Sequence, residues 1–502
     1  MKTKRILLLL LALALLCSVL CACRTDGTEG DETDGGTEGE TSEYPTFHGE
    51  TLRILSWNDS NVREFILPDE AEQYSGQIVE WAVYQRNETA QKLLNITAEY
   101  NGMEGSPDKS SAVSSFMSQV RASHLSGGIY DVYCTHSLCA ALLTTEGIYA
   151  SLSKRSALDF TRDCWPQNLL NEATVFGDLY FCSGDISTNL MFMSSVVYYN
   201  KTLYAKHELD SKLQKDYGYS SIYEMVKDGA WSLDVLTELS KDVYTDTDSD
   251  NVLSSGDTYG FGTYSLMLRN FYWGAGLRAL DNTENGLALT ADFQNADKVH
   301  SILKDVGDFL NNSGDAYLLD GVASSRSAFS EGRLLFNLAP ASHAYKVFRN
   351  VETLTYGVLP VPKYDTSVQA DYSSIASNPY SMWGIECNGG SIEIAAAYLQ
   401  ALADQSLLLT RPAIFEKTMK LFYADRTDDS EMWDIIADTQ RFDCGVIFGR
   451  EIGAYDGEFP LCNLFVSALE KGSSAWSTVL AGDLDRLKGY LDALNEKLLA
   501  LK

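Results

Sequence analysis

"SSVVYYNKTLYAKHEL" (Ser194–Leu209) passes from a β-branched, aromatic run straight into a helical pattern, with Tyr199-Asn200-Lys201 at the turn. A run apolar on both faces suits a strand covered on both sides, which is the habit of parallel sheets. The same move recurs on either side of it. "TLRILSW" (Thr51–Trp57) reads as a strand with Trp57 and Asn58 at its carboxyl end, and "ETAQKLLNITAEY" as a helix followed by a second strand. "GGIYDVYCTHS" gives a third strand ending in His136-Ser137, with a helix after it that Gly147 terminates. Downstream, "FSEGRLLFNLAPASHAYKVF" ends a helix, turns at Gly332 and enters another apolar strand. "YGVLPVPKYD" (Tyr356–Asp365) carries two prolines, which suits an edge or connecting strand. From Ile392 the pattern is mostly helical. Strands alternating with helices predict α/β lobes with mainly parallel sheets, whose ligands bind beyond the strand carboxyl ends. Trp57, Asn58 and His136 are therefore candidate cleft residues.

The amino terminus is of another kind. Met1-Lys2-Thr3-Lys4-Arg5 is basic, and the chain is then apolar to Ala22. That is a signal peptide, about 17 apolar residues being marginal for a span. Leu20-Cys21-Ala22-Cys23 fits a bacterial lipobox, so Cys23 is expected to carry the lipid and become the mature end. Between Arg24 and Glu50 there are nine acids and one arginine among Gly and Thr. Such a segment cannot bury enough apolar surface to offset chain entropy, and residues 23–49 are expected to form a disordered acidic tether. The cargo is thus expected on the outer face of a cell membrane.

About 450 residues remain, more than one core accommodates, so two lobes are predicted. The formal net charge of the 502-residue chain is −30, and no basic cluster offsets it, which argues against nucleic acid as a partner. Of ten cysteines, seven lie in the body, an odd number at wide spacing, so buried free thiols are expected. Cys134-x4-Cys139 lacks the second pair that a zinc ribbon needs.

"GDLYFCSGDIST…VVYYNKTLY", "MVKDGAWSLDVLTELSKDV" and "FSEGRLLFNL…YGVLPVPKYD" together resemble extracellular solute-binding proteins of family 1, the receptors of ABC importers. Tyr199-Asn200-Lys201 matches the family's strand-to-helix turn, and Gly229-Ala230-Trp231-Ser232-Leu233-Asp234 its helix start. "RPAIFEKTMKLFYADRTDDSEMWDII" resembles the helical tail of a Gram-positive subfamily. The resemblance implies a class II periplasmic-binding-protein-like fold of two α/β lobes, three crossings and a helix-rich carboxyl end, with a small ligand, a sugar or oligosaccharide, enclosed by hinge closure. It also implies permease subunits as partners. Crossings are expected near Ser194–Tyr199, Leu334–Asn337 and Tyr380–Ile385. That gives a first lobe of residues 50–196 with 336–382, and a second of 197–335 with 383–502.

No H-E-x-x-H, G-x-S-x-G or P-loop occurs in the chain, so a receptor rather than an enzyme is expected. A secreted carbohydrate-active enzyme, whose two carboxylates need no motif, is the alternative, and a surface-sensing lipoprotein without a permease is a third reading. Sugar rings stack on aromatics, which makes Trp57, Trp273 (in "NFYWGAG") and Trp383 candidate platforms. Core packing is the competing role for each. Asp185 in "SGDIS" is the best polar candidate. Finally, "DTDSDNVLSSGD" (Asp246–Asp257) spaces Asp246, Asp248, Asp250 and Asp257 as positions 1, 3, 5 and 12 of an EF-hand-like loop, with the Val252 carbonyl at 7. It is expected to hold a structural Ca²⁺, the competing reading being a solvated acidic turn. Asn251 replaces the usual glycine, which Asn tolerates because it adopts φ > 0.

Overall fold

The computed structural model describes residues 44–58, 63–105, 110–294, 296–312, 314–376, 379–420, 427–449, 460–472 and 476–502. The lipobox with Cys23 and most of the tether lie outside these residues.

Two five-stranded sheets organise the body, with β7 (Leu280–Thr283) and β8 (Gly286–Leu289) forming a separate antiparallel pair. The first has the order β2-β1-β3-β13-β4, built from β1 (Glu50–Asn58), β2 (Ile96–Glu104), β3 (Val132–His136), β4 (Phe181–Cys182) and β13 (Ser381–Ile385). β1 pairs in parallel with β2 and β3, while β13 runs antiparallel to β3 and β4. The second sheet has the order β11-β5-β10-β6-β9, from β5 (Ser195–Asn200), β6 (Tyr259–Tyr264), β9 (Ala316–Leu319), β10 (Leu334–Pro340) and β11 (Tyr356–Pro360). β6, β9 and β10 are mutually parallel through β6, and β5 runs against β10 and β11. The proline-bearing β11 is indeed an edge strand. All residues of β3, β5 and β6 are buried, as strands sandwiched between helices must be. No helix among the described residues is long and apolar enough to cross a membrane.

The motifs behind the resemblance have local physical jobs. Asn200 ends β5 and caps the next helix, its Oδ1 accepting from the amides of Thr202 (2.9 Å) and Leu203 (3.0 Å). Ser232 caps Leu233–Ser240 in the same way, through the Val235 amide. Trp231, fully buried, donates from Nε1 to the Pro360 carbonyl at 3.0 Å and so ties that helix start to β11.

The division into lobes differs from the sequence expectation. β10 and β11, within residues 336–382, belong to the second sheet, and most of β13 falls in the segment expected with the second lobe but completes the first sheet. Leu334–Asn337 is no crossing: it is the buried first half of a central strand, Leu334–Pro340, where an apolar run is required on both faces. The connections between the sheets are instead very short. Ser194 bridges to Ala376, and β12 (Ser374–Ile375) pairs in parallel with β14 (Gln440–Arg441). Of the three expected stretches, the first holds a crossing at its start, Ser194; Tyr380–Ile385 is strand β13 itself, its crossing lying a few residues ahead at Ser374–Ala376; and the connection at Gln440–Arg441 was not expected.

The six cysteines described, Cys134, Cys139, Cys164, Cys182, Cys387 and Cys444, are free, and all but Cys387 are buried.

Candidate ligand cleft

The carboxyl ends of β1, β3, β6 and β10 point toward the region between the sheets. On the first lobe they place Trp57 beside His136, ring centroids 5.5 Å apart in an edge-on contact. Trp57 donates from Nε1 to Ser381 Oγ at 3.0 Å, and His136 uses Nδ1 to accept the Leu138 amide at 3.1 Å, capping the helix Ser137–Thr145. Both rings are buried, so they build the wall of the strand ends rather than stand free as platforms. Asn58, one residue on, is exposed, and its side chain lies over Gly102, where an added Cβ would meet Asn58 Nδ2.

The first crossing is fastened from below by a buried charge pair that sequence reading missed. Arg86 and Glu64 approach to 3.7 Å with side chains 0% and 2% exposed. Arg86 also donates to the carbonyls of Ile186 (2.9 Å) and Glu64, and Glu64 Oε2 accepts the Thr188 amide at 3.0 Å. Asn189 follows, its Oδ1 accepting the Ser381 amide at 2.9 Å. An isolated Arg in a helix pattern gives no hint of such burial, so nothing in the sequence could have found it.

From the second lobe, the helix Arg269–Gly274 after β6 and the helix Ser342–Lys346 after β10 face the first. Tyr345 stacks on Phe192 at 4.8 Å and donates to Glu80 Oε1 at 2.9 Å, joining the two lobes. Arg349 lies over the outer face of Tyr345 at 4.4 Å. Glu80, Tyr345, Arg349, Asn350 and Thr418 line a cavity of about 560 Å³ there. His343 is buried, and burial, with Arg326 and Lys346 nearby, pushes its pKa well down, so the imidazole is neutral. Among the buried polar atoms without a partner among the described residues are Glu64 Oε1 and Asn189 Nδ2 beside the first crossing and Asn270 Oδ1 on the helix Arg269–Gly274.

A larger cavity of about 820 Å³ lies at the hinge edge, against Ile375 and Arg441, with Asn168 and Glu172 of the first lobe and Trp273, Arg278 and Gln369 of the second. Trp273 belongs here. Its ring is 2% exposed and Nε1 donates to Asp443 Oδ2 at 3.0 Å. Burial raises the Asp443 carboxyl above its ordinary pKa. Arg278 meets Glu172 across the lobes at 2.7 Å. Trp273 is thus held at the hinge, away from the strand ends. Trp383 is a correction of another sort: it sits mid-strand, 0% exposed, opposite Cys134 and Cys182, and is core. Asp185 lies in neither cavity. It pairs with Arg411 at 3.2 Å, and burial outweighs that pairing to raise its pKa to about 6.

In the acidic loop, Asp246, Asp248 and Asp250 bring carboxylate oxygens within 4.8 Å of one another. Asp246 accepts the Ser249 and Asn251 amides, and Asn251 has φ 61°, as its loop position requires. The Asp250 amide draws the Asp248 carboxyl down, but partial burial and the carboxylates of Asp250 and Asp246 outweigh it and leave its pKa raised. Asp257 stands apart from this cluster. It is buried, with its carboxylate accepting the Thr247 (3.0 Å) and Ser254 (2.9 Å) amides, which lower its pKa. The residue expected at position 12 therefore staples the loop from inside. Val252 is exposed and gives its amide to Asp250 Oδ1 at 2.7 Å.

No family model matches the sequence, and no curated protein is similar to it. Solved structures are. A cyclo/maltodextrin-binding protein complexed with maltotetraose superposes with a TM-score of 0.56 at 11% identity, covering 88% of this chain and 97% of that one. The chain has the two-lobed fold of the ABC sugar-binding proteins. The maltose-binding protein of Listeria monocytogenes with maltose gives 0.52 at 12% identity over 89% and 98% of the two chains. An ABC substrate-binding protein from the same organism, in complex with cycloalternan, gives 0.51 at 13% over 90% and 99%. The expected fold class, a two-lobed α/β binding-protein fold, is the one observed.

Proposed function

We propose that this chain is an extracytoplasmic solute-binding receptor, anchored by a lipid on Cys23, that passes a carbohydrate to the permease subunits of an ABC importer. The observation that carries the reading is the two-lobed fold shared with sugar-binding proteins, in which Glu64 Oε1, Asn189 Nδ2 and Asn270 Oδ1 are buried without a partner among the described residues. Each unmet buried polar group costs about 1–3 kcal/mol. Ligand hydroxyls entering from between the lobes would supply partners to Glu64, Asn189 and Asn270, with Asn58 at the rim. Capture is by hinge closure about Ser194, β12 and β14, with no chemical step. A thermal-shift screen of linear and cyclic gluco-oligosaccharides, with polyols and peptides alongside, tests it. A melting temperature that rises with an oligosaccharide and no longer does so in Asn189→Ala supports the reading. A response confined to peptides would remove it. Cys23→Ser should release the protein from membranes, whereas Cys21→Ser should not.

The acidic loop is proposed to hold one structural Ca²⁺ on Asp246, Asp248 and Asp250, since a hard cation relieves the repulsion among three carboxylates. Asp257 would act by shaping the loop.

A further inference from the structure

At the pole of the first lobe away from the strand carboxyl ends, β13 runs out into Glu386-Cys387-Asn388-Gly389. This segment meets the end of the helix Ser110–Leu125 and the turn at Gly127-Gly128. Three chemically different donors converge there. His124, Glu386 and Cys387 each offer a ligand atom, and the three atoms lie within 4.8 Å of one another. Glu386 is fully buried; its Oε1 is 2.8 Å from His124 Nδ1 and accepts the Asn388 amide at 2.9 Å. Its Oε2 accepts from the Tyr133 hydroxyl at 2.7 Å. Cys387 Sγ lies 3.1 Å from the Gly147 carbonyl and 3.8 Å from Asn388 Oδ1, and the Asn388 Nδ2 is 3.3 Å from His124 Nδ1. The backbone is shaped around this cluster. Gly128 has φ +79°, and a Cβ there would come within 2.9 Å of Glu386 Cγ. Both the conformation and the close approach require glycine.

We propose that His124, Glu386 and Cys387 form a Zn²⁺ site that clips β13 to the end of the helix Ser110–Leu125. One imidazole nitrogen, one thiolate and one carboxylate make a borderline-soft donor set, which suits Zn²⁺ and not the oxygen-seeking Ca²⁺ or Mg²⁺. Zinc bonds of about 2.0–2.3 Å put neighbouring ligand atoms roughly 3.3–3.8 Å apart in a tetrahedron. The 2.8 Å His124–Glu386 contact would open slightly and the thiol would draw in, both within side-chain rotation. A fourth position falls to water or to the Asn388 side-chain oxygen. The Tyr133 hydroxyl, bonded to the far carboxylate oxygen, fixes the orientation of Glu386, the job outer-shell partners do at metal sites. On binding, a zinc–sulfur bond forms and the Cys387 proton leaves to solvent.

Cobalt is the probe, because a thiolate ligand gives Co²⁺ an intense near-ultraviolet charge-transfer band. Titrating the metal-free, reduced full chain with Co²⁺ should produce that band at one equivalent, and Zn²⁺ should abolish it by displacement. Cys387→Ser should lack the band, His124→Gln should bind at least tenfold more weakly, and Tyr133→Phe about tenfold more weakly. Asp248→Ala, in the distant acidic loop, should leave it unchanged. Absence of the band in the unmodified chain, or an equal band in Cys387→Ser, overturns the proposal. Should Cys387→Ser not fold, iodoacetamide labelling of Cys387 in the unmodified chain, located by peptide mass, serves instead. Protection by equimolar Zn²⁺ supports the site, and equal labelling with and without Zn²⁺ overturns it.

Discussion

One charge pair of the first lobe, Glu64 with Arg86, is buried beneath the crossing, whereas one acidic cluster of the second, in the loop from Asp246, faces water. Glu64 and Arg86 are almost wholly out of water and are wired to Ile186, Thr188 and Asn189. Asp248 and Asp250 stand exposed on the second lobe, with only Asp257 drawn inside. The difference teaches where electrostatics can set geometry. In a low-dielectric interior a charge that loses its partner is ruinous, so the pair dictates position; at the surface, water screens the same charges and geometry must come from elsewhere.

Four substitutions sharpen the contrast. Arg86→Met strands Glu64 in the interior and should cost about 3–5 kcal/mol in urea unfolding. A loss below 1 kcal/mol would mean that Glu64 simply takes up a proton there. Asp257→Ala removes the acceptor of two loop amides and should cost about 1–3 kcal/mol. With the inner staple intact, Ca²⁺ at one hundred times its dissociation constant should add about 2.7 kcal/mol. EDTA should cancel that gain, and Asp248→Ala should remove any response to either reagent. Lys227 and Glu431, 3.0 Å apart and more than 40% exposed, make a surface pair. Lys227→Ala should change stability by less than about 1 kcal/mol.

Asp185 lies between the two extremes and is read by pH. Its folded pKa of about 6 stands above the ordinary aspartate value of about 3.9, so the folded chain binds the extra proton. Its contribution to stability is therefore present at acid pH and is lost as pH rises from about 4 through 6. The melting temperature of Asp185→Asn should lack that decline. A variant whose pH profile overlays that of the parent would place the titration elsewhere.

Much of the fold was legible because strand and helix periods are local. β1, β3, β5 and β10 each announce themselves by an apolar run and a turn residue. The crossings were harder. Ser194, Ser374–Ala376 and Gln440–Arg441 are short and paired over two residues or fewer, so no periodicity marks them, while the apolar run at Leu334–Asn337 imitated one. The cleft was legible only as a place. Trp57 and His136 do meet at the strand ends. Trp383 instead stands mid-strand in the core, which the sequence could not tell, because a tryptophan next to glycine looks the same whether its ring faces a ligand or a core. The groups that shape the site, Arg86 with Glu64 and Tyr345 with Glu80, are brought together by tertiary folding alone.

Tyr345 and Arg278 carry a consequence for affinity. Both join the lobes, Tyr345 to Glu80 and Arg278 to Glu172, and neither needs ligand in order to do so. A net hydrogen bond of about 1 kcal/mol changes the ratio of joined to parted lobes by roughly fivefold. The apparent dissociation constant is the intrinsic one divided by the fraction already competent to bind. In the proposed receptor, weakening either contact would therefore lower the affinity of ligands that touch neither side chain by a common factor, leaving the ranking among them unchanged. For such ligands, strength could be tuned at the lobe contacts without disturbing selectivity.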